Sequence, residues 1–435
     1  MSEWTHTRIR DLLETSYAGD WGAPPSPGNA RILRATDIDS DGRVTGNGAL
    51  RQIPFATLQE KSLKKGDILL EASGGSTEKP VGRVAFFYGE EYPTPSLTSN
   101  FFKTLRPAKS TSARFVHWAL LRFYRQPDLL QYQQQTTGII NLKFQDYLDA
   151  ILHIPCSKKE QSLIARILDT LDTQIEKTEA LIAKLEKVKE GLLHDLLTRG
   201  IDDNGQLRPS PEQAPELYQE SPLGLVPREW NVGELGEEAK ITVGFVGTTS
   251  RFYTTEDNGI KFFRTGNITE HGLDSSNIKW VTPEFHKANL KSSLHYGDIV
   301  VSRVGYTGNA AIVSEFEKAN CANMIIIRPQ KALPDFIRLL FSSSLIIKQV
   351  TGFTVGSAQP VLNIEMVNRL ICINPDIKEQ KRINSKIDHI AKKISININL
   401  LSKQKLFKTS LMDDLLTGRV RATPLLEQQK EATSA

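Results

Sequence analysis

Ser157-Lys158-Lys159-Glu160-Gln161 opens a stretch that closes on Asp195-Leu196-Leu197-Thr198. Asp376-Ile377-Lys378-Glu379-Gln380 opens a second that closes on Asp414-Leu415-Leu416-Thr417, at a constant offset of 219 residues and without a gap. About a third of the aligned positions are identical, among them Ile164/Ile383, Asp169/Asp388, Ile175/Ile394, Leu181/Leu400 and Lys189/Lys408, so the chain contains an internal repeat.

Apolar residues in each copy step by three and four. Ile164, Leu168, Leu171, Ile175, Ile182 and Leu185 form one stripe, and Ile383, Ile387, Ile390, Ile394 and Leu401 form the other. This is the a/d seam of a coiled coil, and two matching seams in one chain predict that the helices pair with each other. Thr178 and Asn397 interrupt the seams at the same place, as expected of polar residues that fix register. Ser157 with Glu160, and Asp376 with Glu379, have capping-box spacing, and Gly200 and Gly418 are the stops. At 1.5 Å per residue, about 40 residues give a rod of roughly 60 Å.

The repeat divides the rest of the chain. Residues 1–153 form a first block, 154–200 the first rod, 201–229 a proline-rich linker, 230–374 a second block, 375–420 the second rod and 421–435 a polar tail. Both blocks are α+β by pattern. Short β-type runs such as Asp67-Ile68-Leu69-Leu70 and Arg83-Val84-Ala85-Phe86-Phe87-Tyr88 alternate with turn clusters, and one helix is predicted near Ala113–Arg125. The second block repeats the plan of the first. Trp4 answers Trp230, Gly66-Asp67-Ile68 answers Gly297-Asp298-Ile299, Arg34-Ala35-Thr36-Asp37 answers Arg264-Thr265-Gly266-Asn267, and a helix at Pro334–Val350 answers the one at Ala113. The linker, with five prolines and six acidic residues against two arginines, is expected to run extended over the surface. The fold expected is therefore two α+β modules separated by two long helices that pair along their seams, with a pseudo-twofold repeat suited to reading two half-sites.

Composition restricts the function. The chain has 435 residues and a net charge of +4, only a weak sign of a nucleic-acid partner. Local charge is more informative: residues 376–421 carry eleven Lys/Arg against five Asp/Glu, whereas residues 157–199 are balanced. Three widely spaced cysteines predict no disulfide framework, eight scattered histidines no metal pair, and the opening residues no signal peptide. No apolar run approaches membrane-spanning length. No phosphate-binding Gly-x4-Gly-Lys-Ser/Thr motif is present. Asn374-Pro375-Asp376 lacks the second proline and aromatic residue of an amino-methyltransferase loop and reads as strand exit, proline and helix cap.

The remaining polar residues suit reading rather than reacting. Arg34, Lys79, Arg83 and Asn100 in the first block, and Arg264, Asn267, Arg303, Tyr306, Asn309, Asn323 and Gln359 in the second, stand in loops around the strands. Arg and Asn are the side chains whose forks match guanine and adenine edges. They are the candidate DNA contacts; no catalytic or metal-binding residue is expected.

Two variable blocks alternating with two Glu-Gln helices that end in Leu-Leu-Thr resemble the DNA-specificity (S) subunit of type I restriction–modification enzymes. The linker Asp202-Asp203-Asn204-Gly205-Gln206-Leu207-Arg208-Pro209 and the later Ser221-Pro222-Leu223-Gly224 resemble that family too. The resemblance implies that each block is a target-recognition domain for half of a bipartite site in double-stranded DNA, and that the two helices form an antiparallel coiled coil that sets the gap. It implies two modification (methyltransferase) subunits and restriction (translocase/nuclease) subunits as partners, in the cytoplasm and without a membrane. It places S-adenosylmethionine, ATP and magnesium on those partners and no cofactor on this chain, which would be the non-catalytic member of a DNA adenine methyltransferase and site-specific endonuclease. Two other readings compete: a single-chain modification enzyme with a fused specificity region, and a coiled-coil scaffold that does not bind DNA.

If rod length sets the spacing of the half-sites, one heptad inserted between Thr178 and Lys187 keeps the seam in phase. It adds about 10 Å of helix, which widens the recognised gap by up to about three base pairs. Methylome sequencing of a host carrying the insertion variant should show a wider gap between unchanged half-sites. Methylation at the parental gap would sink the idea.

Overall fold

The computed structural model describes residues 3–76, 78–89, 92–136, 138–269, 272–305, 309–314, 318–353 and 361–425. The chain forms two compact units, Met1–Glu179 with Asn399–Ala435, and Ala180–Ile398. Each unit is one block closed by half of each long helix.

Both long helices form, Lys158–Thr198 and Ile377–Thr417, 41 residues each. In the first unit Ile164 and Leu168 share a core with Leu415 and Leu416. In the second, Leu196 and Leu197 share a core with Ile383 and Ile387. In both units the start of one helix meets the end of the other, so the pairing is antiparallel.

The blocks repeat one plan. Trp4–Arg8 pairs antiparallel with Ile151–Pro155, the strand that feeds the first long helix, and Asn231–Glu234 pairs in the same way with Ile371–Asn374 before the second. Each block then has a four-stranded antiparallel sheet. The spatial order is Leu13–Ala18, Phe102–Pro107, Ile68–Glu71, Val84–Phe86 in one, and Ala239–Val243, Met324–Pro329, Ile299–Ser302, Ala310–Ile312 in the other. Ile68-Leu69-Leu70 and Ile299-Val300-Val301 are wholly buried, as continuous apolar runs covered on both faces should be. A further sheet in each block contains one parallel pair, Ala30–Leu33 with Ser96–Thr98 and Ile260–Arg264 with Ala319–Ala322. The Gly-Asp turns are braces rather than catalytic acids: Asp67 takes two bonds from Arg106 at 2.8 and 2.7 Å, and Asp298 two from Arg328 at 3.1 and 3.2 Å.

The Glu-Gln pair that opens each long helix anchors it to its block. Glu379 is buried and accepts from Trp230 Nε1 at 2.9 Å, from the Ile201 amide at 2.8 Å and from both arms of Arg208 at 2.5 and 3.0 Å. Glu160, equally buried, accepts more loosely from Trp4 Nε1 at 3.5 Å, Arg421 at 3.4 Å and Thr423 at 3.3 Å. The neighbouring glutamines act alike. Gln161 bridges the Ser112 amide and the Pro155 carbonyl, and Gln380 bridges the Leu333 amide and the Pro375 carbonyl. Gly200 and Gly418 end the helices with φ of 70° and 76°; a Cβ would collide with Trp230 at Gly200 and press tightly on Trp4 at Gly418.

Several expectations are corrected. Only half of each capping box forms: Asp376 Oδ1 accepts from the Glu379 amide at 2.8 Å and Ser157 Oγ from Glu160 at 3.5 Å, but the glutamates serve the anchors instead of the cap. Thr178 and Asn397 bond to their own helices, at the Gln174 and Lys393 carbonyls, so neither fixes register across the seam through a side-chain bond. The linker is not an extended strap. It folds into a hairpin, Tyr218–Ser221 with Gly224–Pro227, and buries Ile201, Tyr218 and Val226, because Arg208 draws it onto Glu379. The helix expected at Pro334–Val350 is two, Pro334–Phe341 and Ser344–Phe353, bent by 59° at a serine pair whose hydroxyls bond back to Arg338 and Leu340. The start of the polar tail docks on the first unit through Ala422, which is buried, and Thr423.

The seam is also less uniform than its pattern. Ile164, Leu168, Ile175, Ile383, Ile387 and Ile394 are buried, whereas Leu171, Ile182, Leu185, Ile390 and Leu401 are half-buried, since two helices alone cannot enclose every seam position. Beside Leu171, Asp172 is buried and takes Lys408 Nζ at 2.5 Å and Arg43 Nη2 at 2.8 Å. This triad ties both long helices to the first block. At the matching place in the second unit, Asp172 is replaced by Ala391.

Burial pushes the Asp172 carboxyl up, but hydrogen bonds and charge from Arg43 and Lys408 outweigh it and hold the group below the usual carboxylate range. A depressed folded pKa gives stability that is present above the unfolded value of about 4 and is lost as pH falls through the folded pKa. Asp172→Ala, which strands the buried Lys408 ammonium and leaves the half-buried Arg43 with Glu176 alone, should cost about 3–5 kcal/mol at pH 7. Its cost should shrink on acidification. The double change Asp172→Leu with Lys408→Met should recover much of the loss. Ile394→Ala should cost about 2–5 kcal/mol and Leu171→Ala less. Urea unfolding of the five proteins at neutral and acidic pH measures all of this; an Asp172→Ala cost independent of pH would contradict the triad's role.

Candidate nucleic-acid interface

The candidate contact residues separate into those consumed by the fold and those left free. Arg34 forks onto Asp37 at 2.9 and 3.1 Å, and Asp37 in turn accepts from the Arg34 amide. Burial raises the Asp37 carboxyl, and Arg34 overrides this and lowers it. At the matching turn of the second block, Asn267 is buried, accepts from the Arg264 amide at 2.8 Å and donates to the Asp274 carbonyl at 3.0 Å. Arg264 itself donates to the Asn277 carbonyl at 3.3 Å. Arg83 donates to Glu71 and to the carbonyls of Ile38 and Ala35, at 3.1, 2.9 and 2.8 Å. Arg34, Arg83 and Asn267 therefore hold loops in place.

Lys79, Asn100, Arg303, Asn309 and Asn323 keep their side-chain polar groups without partners among the described residues. Tyr306 and Gln359 lie outside the described residues. Arg303 and Asn323 are brought together, the Arg303 amide donating to the Asn323 carbonyl at 3.2 Å. Asn323 adopts a φ of 53°, which exposes its amide at the head of Met324–Pro329. Arg303 lines a cavity of about 340 Å³ with Val243, Val246 and Asn363. Asn100 lines one of about 660 Å³ in the first unit.

Sequence reasoning missed the rest of the Asn100 cavity: the loop Gly19–Ala23, with Trp21, and the turn Gln52–Pro54. One signal was present, a tryptophan inside the turn-rich run Gly19-Asp20-Trp21-Gly22-Ala23-Pro24-Pro25, where no core strand or helix could bury it. Also missed were Lys287, Asn289 and Lys291, which line a cavity of about 490 Å³ in the second unit. Asn374-Pro375-Asp376 is strand exit and helix cap, with Asn374 bonded to Glu238 and Gln380. Among the described residues no group of three or more His, Cys, Asp or Glu could hold a metal ion, and no single helix is long and apolar enough to cross a membrane.

The chain matches the family model for the type I restriction modification DNA specificity domain over residues 1–187 and 227–403. It is 24% identical to the putative type I restriction enzyme MjaX specificity subunit of Methanocaldococcus jannaschii, across 96% of this chain and 94% of that protein. It is 23% identical to the EcoBI specificity subunit of Escherichia coli, across 66% and 65% of the two chains. Among solved structures, it resembles the type I restriction–modification S subunit from M. genitalium with a TM-score of 0.56 at 16% identity, over 95% of this chain and 96% of that one.

The second long helix presents Lys381, Lys386, Lys392 and Lys393 exposed and without ion-pair partners among the described residues, while Arg382 pairs with Asp203 at 3.0 Å. Changing Lys386 and Lys393 to Gln should weaken binding to all duplexes alike and flatten the dependence of log K on log salt by about one to two contacts. Fluorescence titration against several duplexes at several salt concentrations measures both. A loss of affinity seen only with modification subunits present would assign these lysines to a protein partner.

Proposed function

The chain belongs to the type I restriction–modification DNA specificity family, and from that premise we propose that each of its two blocks reads one half of a bipartite site in duplex DNA and directs partner subunits to it. The observation that carries the proposal is the organisation of the units. Each block has its own core, its own helix anchor and its own set of free polar side chains on turns. Two readers of one plan and different loops suit two half-sites of different sequence.

On this reading the chain contributes sequence discrimination and no bond-making chemistry. Two modification subunits supply adenine methylation with S-adenosylmethionine, and restriction subunits supply cleavage with ATP and magnesium, in the cytoplasm. The single-chain modification enzyme is disfavoured by the one stretch with a methyltransferase-like look, Asn374-Pro375-Asp376, whose groups are taken up by the anchor of the second helix. A gel shift with fragmented genomic DNA, with and without co-expressed modification subunits, tests the DNA-binding reading against a scaffold: a scaffold shifts nothing in either case.

Replacing residues 1–150 with the corresponding block of another family member should change one half-site and leave the other intact. Methylome sequencing of hosts carrying parent and hybrid provides the measurement. A hybrid that alters both half-sites would count against independent readers.

A further inference from the structure

The first unit contains a cleft of mixed polar and apolar lining that the fold does not use. One wall is the loop Gly19–Ala23, the other the turn Gln52–Pro54, and Asn100 closes the end. The cleft is rigid. Gly19 and Asp20 donate their amides to the Phe102 and Thr98 carbonyls, Ala23 and Gln52 exchange backbone bonds at 2.9 and 3.1 Å, and Asp20 Oδ1 accepts from the Gly22 amide at 2.9 Å. Gly22 has a φ of 63° and sits so close to the Gln52 carbonyl that a Cβ would collide with it. Such walls lose little freedom on binding.

Three polar groups in this rigid frame are unused: the amides of Gln52 and Asn100 and the indole N–H of Trp21 have no partner among the described residues. The cations nearby are engaged. Arg51 lies 4.7 Å over the Trp21 ring and donates to the Trp21 carbonyl at 3.1 Å, and Lys61 faces Asp20 at 3.8 Å. A phosphate site would present free cations, and this cleft presents a carboxylate, Asp20. What remains free is a pair of carboxamides, each a donor and an acceptor on one plane, which is the pattern that matches adenine N7 and N6 in the major groove.

We infer that Gln52 and Asn100 are specificity-determining residues that read an A·T base pair in the half-site of the first block, with Trp21 and its stacked Arg51 as the wall of the reading cleft. This rests on the DNA-reading function proposed above and assigns it to named side chains. The second unit supports the placement. There Gly244 and Phe245 donate to the Met324 and Cys321 carbonyls, as Gly19 and Asp20 do to Phe102 and Thr98. The cavity beside that loop is lined by Phe245, Lys287 and Lys291. The same place in the two blocks thus carries different chemistry, as two readers of different sequences require.

The test uses the full chain with its modification subunits, carrying Gln52→Ala, Asn100→Ala or Gln52→Glu. The readouts are methylome sequencing and competition between duplexes that differ at single base pairs of the parental motif. Each alanine variant should lose about ten- to a hundredfold of the discrimination at one A·T pair in one half-site, with the other half-site and the gap unchanged. Gln52→Glu, which exchanges the amide donor for an acceptor, should move preference at that position toward cytosine, whose N4 donates. Neither side chain has an internal partner, so melting temperatures should match the parent. Variants that keep both half-sites overturn the assignment. So does a uniform loss of affinity for every duplex by a variant with parental melting temperature, and so does a change in the other half-site. A parent complex that marks no bipartite motif overturns the DNA-reading function together with the cleft, an outcome separate from a functional parent beside indifferent variants.

Discussion

A buried glutamate at the head of each long helix is the constraint on which both units depend. A carboxylate removed from water is tolerated only when donors surround it. Glu379 gathers an indole from the start of the block and a backbone amide and a forked guanidinium from the linker. Satisfying one charge therefore brings three separate parts of the chain together. The tryptophan that reaches Glu379 covers the glycine ending the other long helix, so helix start and helix stop meet at one point. In the first unit Trp4 takes the place of Trp230, and the other donors come from the tail after Gly418, with longer contacts.

The repeat is a repeat of scaffold and not of every bond. Lys189 and Lys408 are identical in the two copies, yet only Lys408 meets a buried carboxylate, because Asp172 answers to Ala391. The first unit thus carries a buried carboxylate shared by both long helices and the block, whereas in the second unit block and helix are tied by the more exposed pair Arg338 and Asp388 at 3.8 Å. A buried ion pair of this kind adds little net stability over an apolar replacement, because desolvation offsets its attraction. Thr178 and Asn397, the polar residues that interrupt both seams, spend their hydrogen bonds within their own helices. Side-chain ties between the helices of the first unit are made instead by the triad beside the seam and by Lys405 with Glu179 at 2.7 Å.

Among the candidate contact residues, pattern alone could not separate structural arginines from free ones. Arg34 and Arg83 look like surface cations in sequence, and they are braces: Arg34 is taken by Asp37 of its own turn, and Glu71 and two loop carbonyls converge on Arg83 from other segments. Asn100 stayed free because the turn that carries it points into a cleft whose walls come from residues some fifty and eighty positions earlier. No local signal links Trp21, Gln52 and Asn100. Their meeting follows from strand pairing, with Leu13–Ala18 and Phe102–Pro107 adjacent in one sheet.

The amino-acid sequence by itself determined the two long helices, their matching apolar seams, the two-block organisation and the buried strands after each Gly-Asp turn. These follow from short-range periodicity and from self-similarity, which are properties of sequence separation alone. Tertiary structure decided where the polar groups went. It turned capping glutamates into anchors, folded the linker onto Arg208 and Glu379, broke one helix at a serine pair, and left Gln52 and Asn100 unpartnered at one cleft. The physical reason is that a hydrogen bond is satisfied by whichever donor arrives within about 3 Å, and which donor arrives depends on the packing of segments far apart in the chain.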